Sequence, residues 1–467
     1  MMNIENMTVF TTALCNLNCK YCYICKDKKG GLQKIDELLE KDLKECKNID
    51  VVLDYDNSIK DTLTSITLWG GEPFLHMERF TENMDQYFAA FPNLNNFNLS
   101  TNFTVDDQFE ATTELLKGID KYYHGSKTFT FDYQISIDGY TEMNDSGRGD
   151  GVTERFLRNF NKFLDLKYNT NKINLHLSTK PTLSQSTFEF LSTKEKCYKW
   201  FKFFNDEMFI PYVEHKPSWG LNLNIFNCAT PVEWVKEDGI KYAAIVKNII
   251  DAKEEIKQLP AWVGNQFTVY PLNNIVELFH HCQIKSYDEY KNIVKTQCGG
   301  SSCGVFTCGI VPISDGKFTM CHRGLFDSFV EYTNHVKNME SMHGLSQRYY
   351  KNDNVEDWTY TKEDLKCLQN TMNQYYCPHN INYIDLMYSI RDFAEAGIID
   401  PKYANSEEII PTLGAFLGLT YCVQDAYIMN GSWTTQSMLE VPLLYNGAMD
   451  EVMKELHSIM KEKGYML

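Results

Sequence analysis

Cys15, Cys19 and Cys22 lie within one eight-residue stretch, CNLNCKYC, directly after the apolar run Met7–Leu14. Thiolates are soft ligands that suit iron–sulfur clusters and zinc. A four-iron cluster is ordinarily held by four cysteines, so three leave one iron open. An open coordination position is where a small molecule can chelate and react. Cys25 adds a further C-x-x-C after Cys22, so the same stretch also reads as a closed four-thiolate zinc site, which has no such opening.

The next group with chemical potential is Leu68-Trp69-Gly70-Gly71-Glu72-Pro73, after the apolar run Ser65–Trp69 and before a helical pattern over Glu78–Phe91. Glycines at a strand end let backbone approach a ligand closely, and a carboxylate there can receive an ammonium group. Polar residues recur at two further strand ends, Asn98-Leu99-Ser100-Thr101-Asn102 and Gln134-Ile135-Ser136-Ile137-Asp138-Gly139. Side chains gathered at the carboxyl ends of successive parallel strands share one surface, where barrel and open α/β enzymes build their sites. Asp138 reads equally as the cap of the turn that follows it.

The elements that must position these residues alternate between period two and helical period up to about Cys228. Strands are expected near Met7–Leu14, Ser65–Trp69, Phe97–Thr101, Thr130–Ile137, Lys172–Thr179 and Leu221–Phe226. Six strands interleaved with helices predict parallel crossovers rather than hairpins. No repeat interrupts the pattern. Two helical stretches follow, Trp234–Gln258 and Asn273–Lys295, separated by Leu259-Pro260, and they read as a connector. Cysteines then crowd together at Cys298, Cys303, Cys308, Cys321, Cys367 and Cys377. The turn Ser314-Asp315-Gly316 between Val311–Ile313 and Lys317–Cys321 predicts a hairpin that aims Cys308 and Cys321 at a common point. Helical patterns over Tyr383–Ala396, Glu407–Asn430 and Gln436–Lys463 close the chain and read as a cap. The expected division is 1–230, 231–297, 298–380 and 381–467, four units in a chain of 467 residues.

Composition removes several classes of function. Lys and Arg number 45 against 62 Asp and Glu, a net charge of −17, which opposes the phosphate neutralisation that drives nucleic-acid binding. The start, Met1-Met2-Asn3-Ile4-Glu5-Asn6, has neither a basic nor an apolar signal region. No apolar stretch is long enough to span a bilayer. A cytoplasmic protein without a membrane partner is expected, and in a reducing cytosol fifteen cysteines point to metal rather than to disulfides.

Taken together, the motifs resemble those of the radical S-adenosylmethionine (SAM) superfamily. Cys15–Cys22 resembles CxxxCxΦC with Tyr21 as the aromatic, Gly70–Pro73 resembles GGEP, and Ser136-Ile137-Asp138-Gly139…Asp145-Ser146-Gly147-Arg148 resembles S-x-D-G…D-x-x-R. The resemblance implies a partial (β/α)6 TIM-like barrel. It further implies a [4Fe-4S] cluster on Cys15, Cys19 and Cys22 whose open iron binds the amino and carboxylate groups of SAM. Electron transfer from such a cluster cleaves a carbon–sulfur bond to give a 5′-deoxyadenosyl radical. By the same resemblance Gly70, Gly71, Glu72 and Pro73 hold the SAM amine, Ser136 and Arg148 its carboxylate and ribose, and Tyr21, Ser100, Asn102 and Asp138 join the cofactor site.

Gly316-Lys317-Phe318-Thr319-Met320-Cys321 resembles the GX4C hairpin of SPASM and twitch domains. This implies one auxiliary [4Fe-4S] cluster on Cys303, Cys308 and Cys321 with Cys377 as the fourth ligand. Only Cys367 and Cys377 match the continuing CX2CX5CX3C pattern, so a second auxiliary cluster is not expected, and a structural zinc site stays open for this region. His322 stands where anaerobic sulfatase-maturating enzymes carry an aspartate base, which makes it a candidate base. The alternative is an ordinary hydrogen-bonded histidine. The substitution speaks against simple sulfatase maturation.

The expected activity is hydrogen-atom abstraction from a peptide or protein side chain, as in peptide-modifying oxidoreductases and cross-linking maturases. Six residues precede the first expected strand, so a leader-binding function is expected on a separate protein or on the C-terminal helices, with flavodoxin or ferredoxin as external electron donor. Two readings stand beside it: a radical SAM enzyme for a small-molecule metabolite, and a non-enzymatic zinc scaffold.

Overall fold

The computed structural model describes residues 5–12, 14–22, 52–55, 59–166, 168, 172–223, 227–228, 236–260, 309–312, 317–319 and 360–361. Six parallel strands form its frame: β1 (Asn6–Phe10), β2 (Ser65–Trp69), β3 (Asn96–Thr101), β4 (Phe129–Ile135), β5 (Ile173–Thr179) and, after the two-residue β6 (Thr182–Leu183), β7 (Gly220–Leu223). All six expected strands are present, paired in the order β1-β2-β3-β4-β5-β7. The crossovers are long enough for parallel pairing, and every pair in this run is parallel.

Alternation along the strands explains how the sheet is used. In β4, Phe129, Phe131, Tyr133 and Ile135 are fully buried, whereas Thr130, Asp132 and Gln134 between them are half-buried. The apolar face packs on the helices Gln108–Tyr122 and Val152–Leu164 through Leu115, Leu116, Ile119, Phe156, Phe160 and Phe163. Aromatic contacts such as Phe97–Phe129 at 4.9 Å and Phe103–Phe163 at 4.7 Å run through this layer. Truncating one of these rings to alanine costs about 3–5 kcal/mol.

The other face is polar. Register places Thr67, Asn98, Asp132, His176 and Gly220 in one row across β2–β7, and Ser100, Gln134, Ser178 and Asn222 in the row nearer the strand ends. Parallel strands usually read as continuous apolar runs because both faces are covered. Here the alternation reserves one face for polar contacts.

The six described parallel strands form an open sheet that does not close, as the expected partial (β/α)6 barrel requires. Several other features were not expected. At the sheet's β1 edge β9 (Gly309–Pro312) adds in parallel, followed by antiparallel β10 (Lys317–Thr319) and β11 (Tyr360–Thr361). The β9–β10 hairpin matches the Asp-Gly turn signal. A short parallel pair, β6 with β8 (Asn227–Cys228), was not expected. The helix expected over Glu78–Phe91 is two helices, Met77–Glu82 and Met84–Ala90. Asn83 divides them: its side-chain amide donates to the Arg79 carbonyl at 3.1 Å, competing with the helical ladder. The connector helix is present as Lys236–Ile256. Asn273–Lys295 and the C-terminal helices fall outside the described residues. Among those described, no helix is long and apolar enough to cross a membrane.

Candidate active site

The cysteine loop leaves β1 and is tied by backbone to the loop after β2. Thr11 N–H donates to the Trp69 carbonyl at 2.7 Å, Gly71 N–H to Thr12 at 2.7 Å and Glu72 N–H to Leu14 at 2.8 Å. Gly70 is needed at this junction. Its φ is +154°, and a Cβ on it would lie 2.5 Å from the Thr12 carbonyl oxygen.

Two other strand ends reach the same loop. From the end of β3, Asn102 Nδ2 donates to Asn16 Oδ1 at 2.7 Å, and Asn16 Nδ2 donates to Thr104 Oγ1 at 3.0 Å. Asn102 Nδ2 also lies 3.7 Å from Cys15 Sγ, which accepts from Leu17 N–H at 3.4 Å. From the region after β4, the Gly147 carbonyl accepts from Lys20 N–H at 2.9 Å. Cys15, Cys19 and Cys22 are thus held by three separate strand ends.

Glu72 is fully buried, and its carboxylate accepts from Asn102 N–H at 2.7 Å, Thr101 Oγ1 at 2.8 Å and Phe74 N–H at 3.2 Å. Desolvation pushes its carboxyl up to about 7 even though these three bonds favour the ionised form. The side chain is turned into the protein, where Glu72 braces the β2 loop against β3.

Asp138 is likewise more than a turn cap. It is fully buried and gathers Arg148 Nη2 at 2.7 Å, Thr182 N–H at 2.9 Å and the Tyr21 hydroxyl on its carboxylate. Its carbonyl accepts from Trp200 Nε1 at 2.7 Å. Arg148 ends the helix Thr141–Arg148, is 6% exposed, and lies 5.5 Å from the Tyr21 ring centroid. Its Nε is buried without a hydrogen-bond partner among the described residues. Desolvation holds the Tyr21 phenol well above its usual range, which keeps it protonated as a donor. Arg148 and Tyr21 together lock the cysteine loop to the end of β4.

Desolvation also pushes the Cys19 thiol up to about 12, with Arg148 opposing and Cys22, Asp138 and Cys15 adding repulsion. At neutral pH it is a thiol, so a metal must displace its proton on binding. Among the described residues, no three cysteine, histidine or carboxylate side chains gather closely enough to share one ion. Three thiols on one loop are the donor chemistry that a four-iron cluster with one open iron takes.

At the mouth of the polar face, Ser100 Oγ donates to Gln134 Oε1 at 3.3 Å and Lys180 Nζ donates to the same oxygen at 2.9 Å. Ser136 is half-buried beside them, its N–H donating to the Thr101 carbonyl at 2.9 Å. Sequence reasoning missed Gln134 and Lys180 as site residues. Their signal was parity: Gln134 continues the row of Thr130 and Asp132 on β4, with Ser136 next in the same row, and Lys180 continues the row of His176 and Ser178 on β5. Cys25, Cys298, Cys303, Cys308, Cys321, His322, Cys367, Cys377 and Cys422 lie outside the described residues.

Residues 6–144 match the family model of a 4Fe-4S single cluster domain. No curated protein matches the chain. Among solved structures it is similar to native anSMEcpe with bound AdoMet, at 16% identity and a TM-score of 0.47, covering 98% of this chain and 97% of that one. The same protein with AdoMet and the Cp18Cys peptide gives 16% and 0.44 over the same coverage. SuiB of Streptococcus suis gives 12% and 0.35, over 69% of this chain and 61% of that one.

Proposed function

We propose that this chain is a radical SAM enzyme that abstracts a hydrogen atom from a peptide or protein side chain. The observation that carries the reading is the convergence of three parallel strand ends on one three-cysteine loop, within the segment matching a 4Fe-4S domain model. Cys15, Cys19 and Cys22 would hold the cluster, and a fourth iron left without a cysteine would be open to SAM. When bound, cluster and SAM together supply a primary carbon radical, chemistry that belongs to the cofactor.

The chain's own residues position and shield that chemistry. Gly70 and Gly71 bring backbone beside the cysteine loop, where carbonyl groups suit an ammonium group. Ser136, Ser100 and Gln134 offer neutral polar contacts at the strand ends. Asp138, Arg148 and Tyr21 fix the loop from one side, and Glu72 with Asn102 from the other. We assign residues 1–230 to this cofactor unit, 231–297 to a connector, 298–380 to an auxiliary [4Fe-4S] unit on Cys303, Cys308, Cys321 and Cys377, and 381–467 to a helical cap. His322 is assigned as the base in the auxiliary unit. An external one-electron donor is required, and a separate leader-binding protein fits the same scheme.

Protein purified and reconstituted without oxygen tests the reading. It should release 5′-deoxyadenosine from SAM on reduction, and Cys19→Ser should not. Stoichiometric zinc in anaerobically prepared protein, with no 5′-deoxyadenosine, would overturn it.

A further inference from the structure

The carboxylates near the strand ends are saturated by the chain itself. Glu72 accepts three hydrogen bonds, Asp138 accepts from Arg148, Thr182 and Tyr21, and Asp145 accepts from Gly151 N–H and from Thr153 through both N–H and Oγ1. Asp132 is different. It sits half-buried at the centre of the polar face, and within the described residues no hydrogen bond or ion pair ends on it.

Its neighbours in register turn away from it. On β3, Asn98 Nδ2 donates to Ser65 Oγ at 2.9 Å and Thr67 Oγ1 at 3.3 Å, both on β2. On β5, the His176 ring lies over Gly220, where a Cβ would come within 2.5 Å of its Cε1, and its Nδ1 is 3.4 Å from Asn222 Nδ2 on β7. Lys180, also on this part of the face, donates to Gln134 Oε1 at 2.9 Å. Desolvation already raises the Asp132 carboxyl, with His176 opposing. A half-buried carboxylate to which the chain itself supplies no donor is open to one from a ligand in place of water.

We infer that Asp132 is a specificity residue that receives a basic side chain, lysine or arginine, of the substrate peptide on the open polar face of the sheet. Asn98 and His176 form the walls of the socket, and their own hydrogen bonds to β2 and β7 hold it open. This rests on the peptide-modifying reading above and adds to it the class of residue that the substrate must carry.

The test uses the full chain, anaerobically reconstituted and immobilised, and four randomised octapeptide libraries, N-acetylated and C-amidated. The libraries differ only in a fixed central residue: lysine, arginine, norleucine or citrulline. Wild type should retain the lysine and arginine libraries about tenfold better than their neutral partners, the effect of one charge-assisted hydrogen bond. Asp132→Asn should abolish the preference and Asp132→Glu should keep part of it. Non-specific attraction to a chain of net charge −17 would survive a single substitution, so a preference that persists in Asp132→Asn overturns the assignment, as does equal retention by wild type. SAM affinity is measured in the same preparations. Failure of wild type to bind SAM counts against the radical reading, whereas normal SAM binding without a basic preference counts against Asp132 alone.

Discussion

Glu72 and Asp138 are two buried carboxylates with opposite electrostatic solutions, and each makes a separate prediction. Glu72 has hydrogen-bond donors but no cation on it, so its folded pKa of about 7 stands above the usual 4.5. The folded state then binds the proton more tightly than the unfolded state does, and stability falls as pH rises. The contribution is fully present below about 4.5 and is lost by the time pH passes about 7, a change of about 3 kcal/mol for one group. Glu72→Gln should remove this component: urea denaturation at pH 5 and pH 7.5 should show a smaller fall for the variant than for wild type. Equal pH dependence in both proteins would mean that Glu72 is not desolvated. Asp138 is instead neutralised by Arg148, a guanidinium only 6% exposed. Asp138→Asn preserves shape but strands that cation, and should cost about 3–5 kcal/mol. The double variant Asp138→Asn/Arg148→Met should recover much of the loss, because the unpaired charge goes with it.

At the scale of elements, the junction of the β1 and β2 loops is held by three backbone bonds and one glycine with a positive φ. Gly70→Ala must push the Thr12 carbonyl away, so it should lower iron retention and SAM binding together while leaving the far-ultraviolet circular dichroism of the sheet unchanged. Normal iron content in this variant would show that the two loops are not coupled. The six strands were legible because alternation in Phe129–Ile135 and its neighbours was regular and helical segments between them gave crossovers long enough for parallel pairing. The cysteine and Gly-Gly-Glu-Pro segments were legible because their spacing is local. The pairing of β9 with β1 was not, since Asn6 meets Gly309 across most of the chain and nothing local encodes that edge. Nor were the inward turn of Glu72 and the Asp138–Arg148–Tyr21 lock, because a motif gives residue types in order and not which side of a loop each side chain takes. The break at Asn83 was readable in principle, from an asparagine able to bond the carbonyl four residues back.

On the scale of the whole molecule, the open sheet, the cysteine loop at its strand ends and the β9–β10 hairpin at its β1 edge bear on how two clusters would share one reaction. Of the hairpin strands, β9 adds directly to β1, the strand that leads into the cysteine loop, and β10 pairs with β9, so the segments flanking Cys308 and Cys321 are anchored to the same edge. Two four-iron clusters amount to about eight irons per chain. Replacing Cys15, Cys19 and Cys22 together by alanine should remove about half of them and all 5′-deoxyadenosine formation. Cys321→Ala should remove the other half and act differently. SAM cleavage needs only the first cluster, so slow 5′-deoxyadenosine release should continue, while product formation stops. A peptide deuterated at the reacting carbon separates these steps, because hydrogen abstraction transfers deuterium into 5′-deoxyadenosine before any later oxidation. In wild type the label should appear in 5′-deoxyadenosine together with product. In Cys321→Ala, a label without product would place the auxiliary cluster after abstraction, and unlabelled 5′-deoxyadenosine would place it in substrate binding. Full product from Cys321→Ala would remove that cluster from the reaction, and transfer from a free sugar or amino acid with none from any peptide would reassign the substrate class.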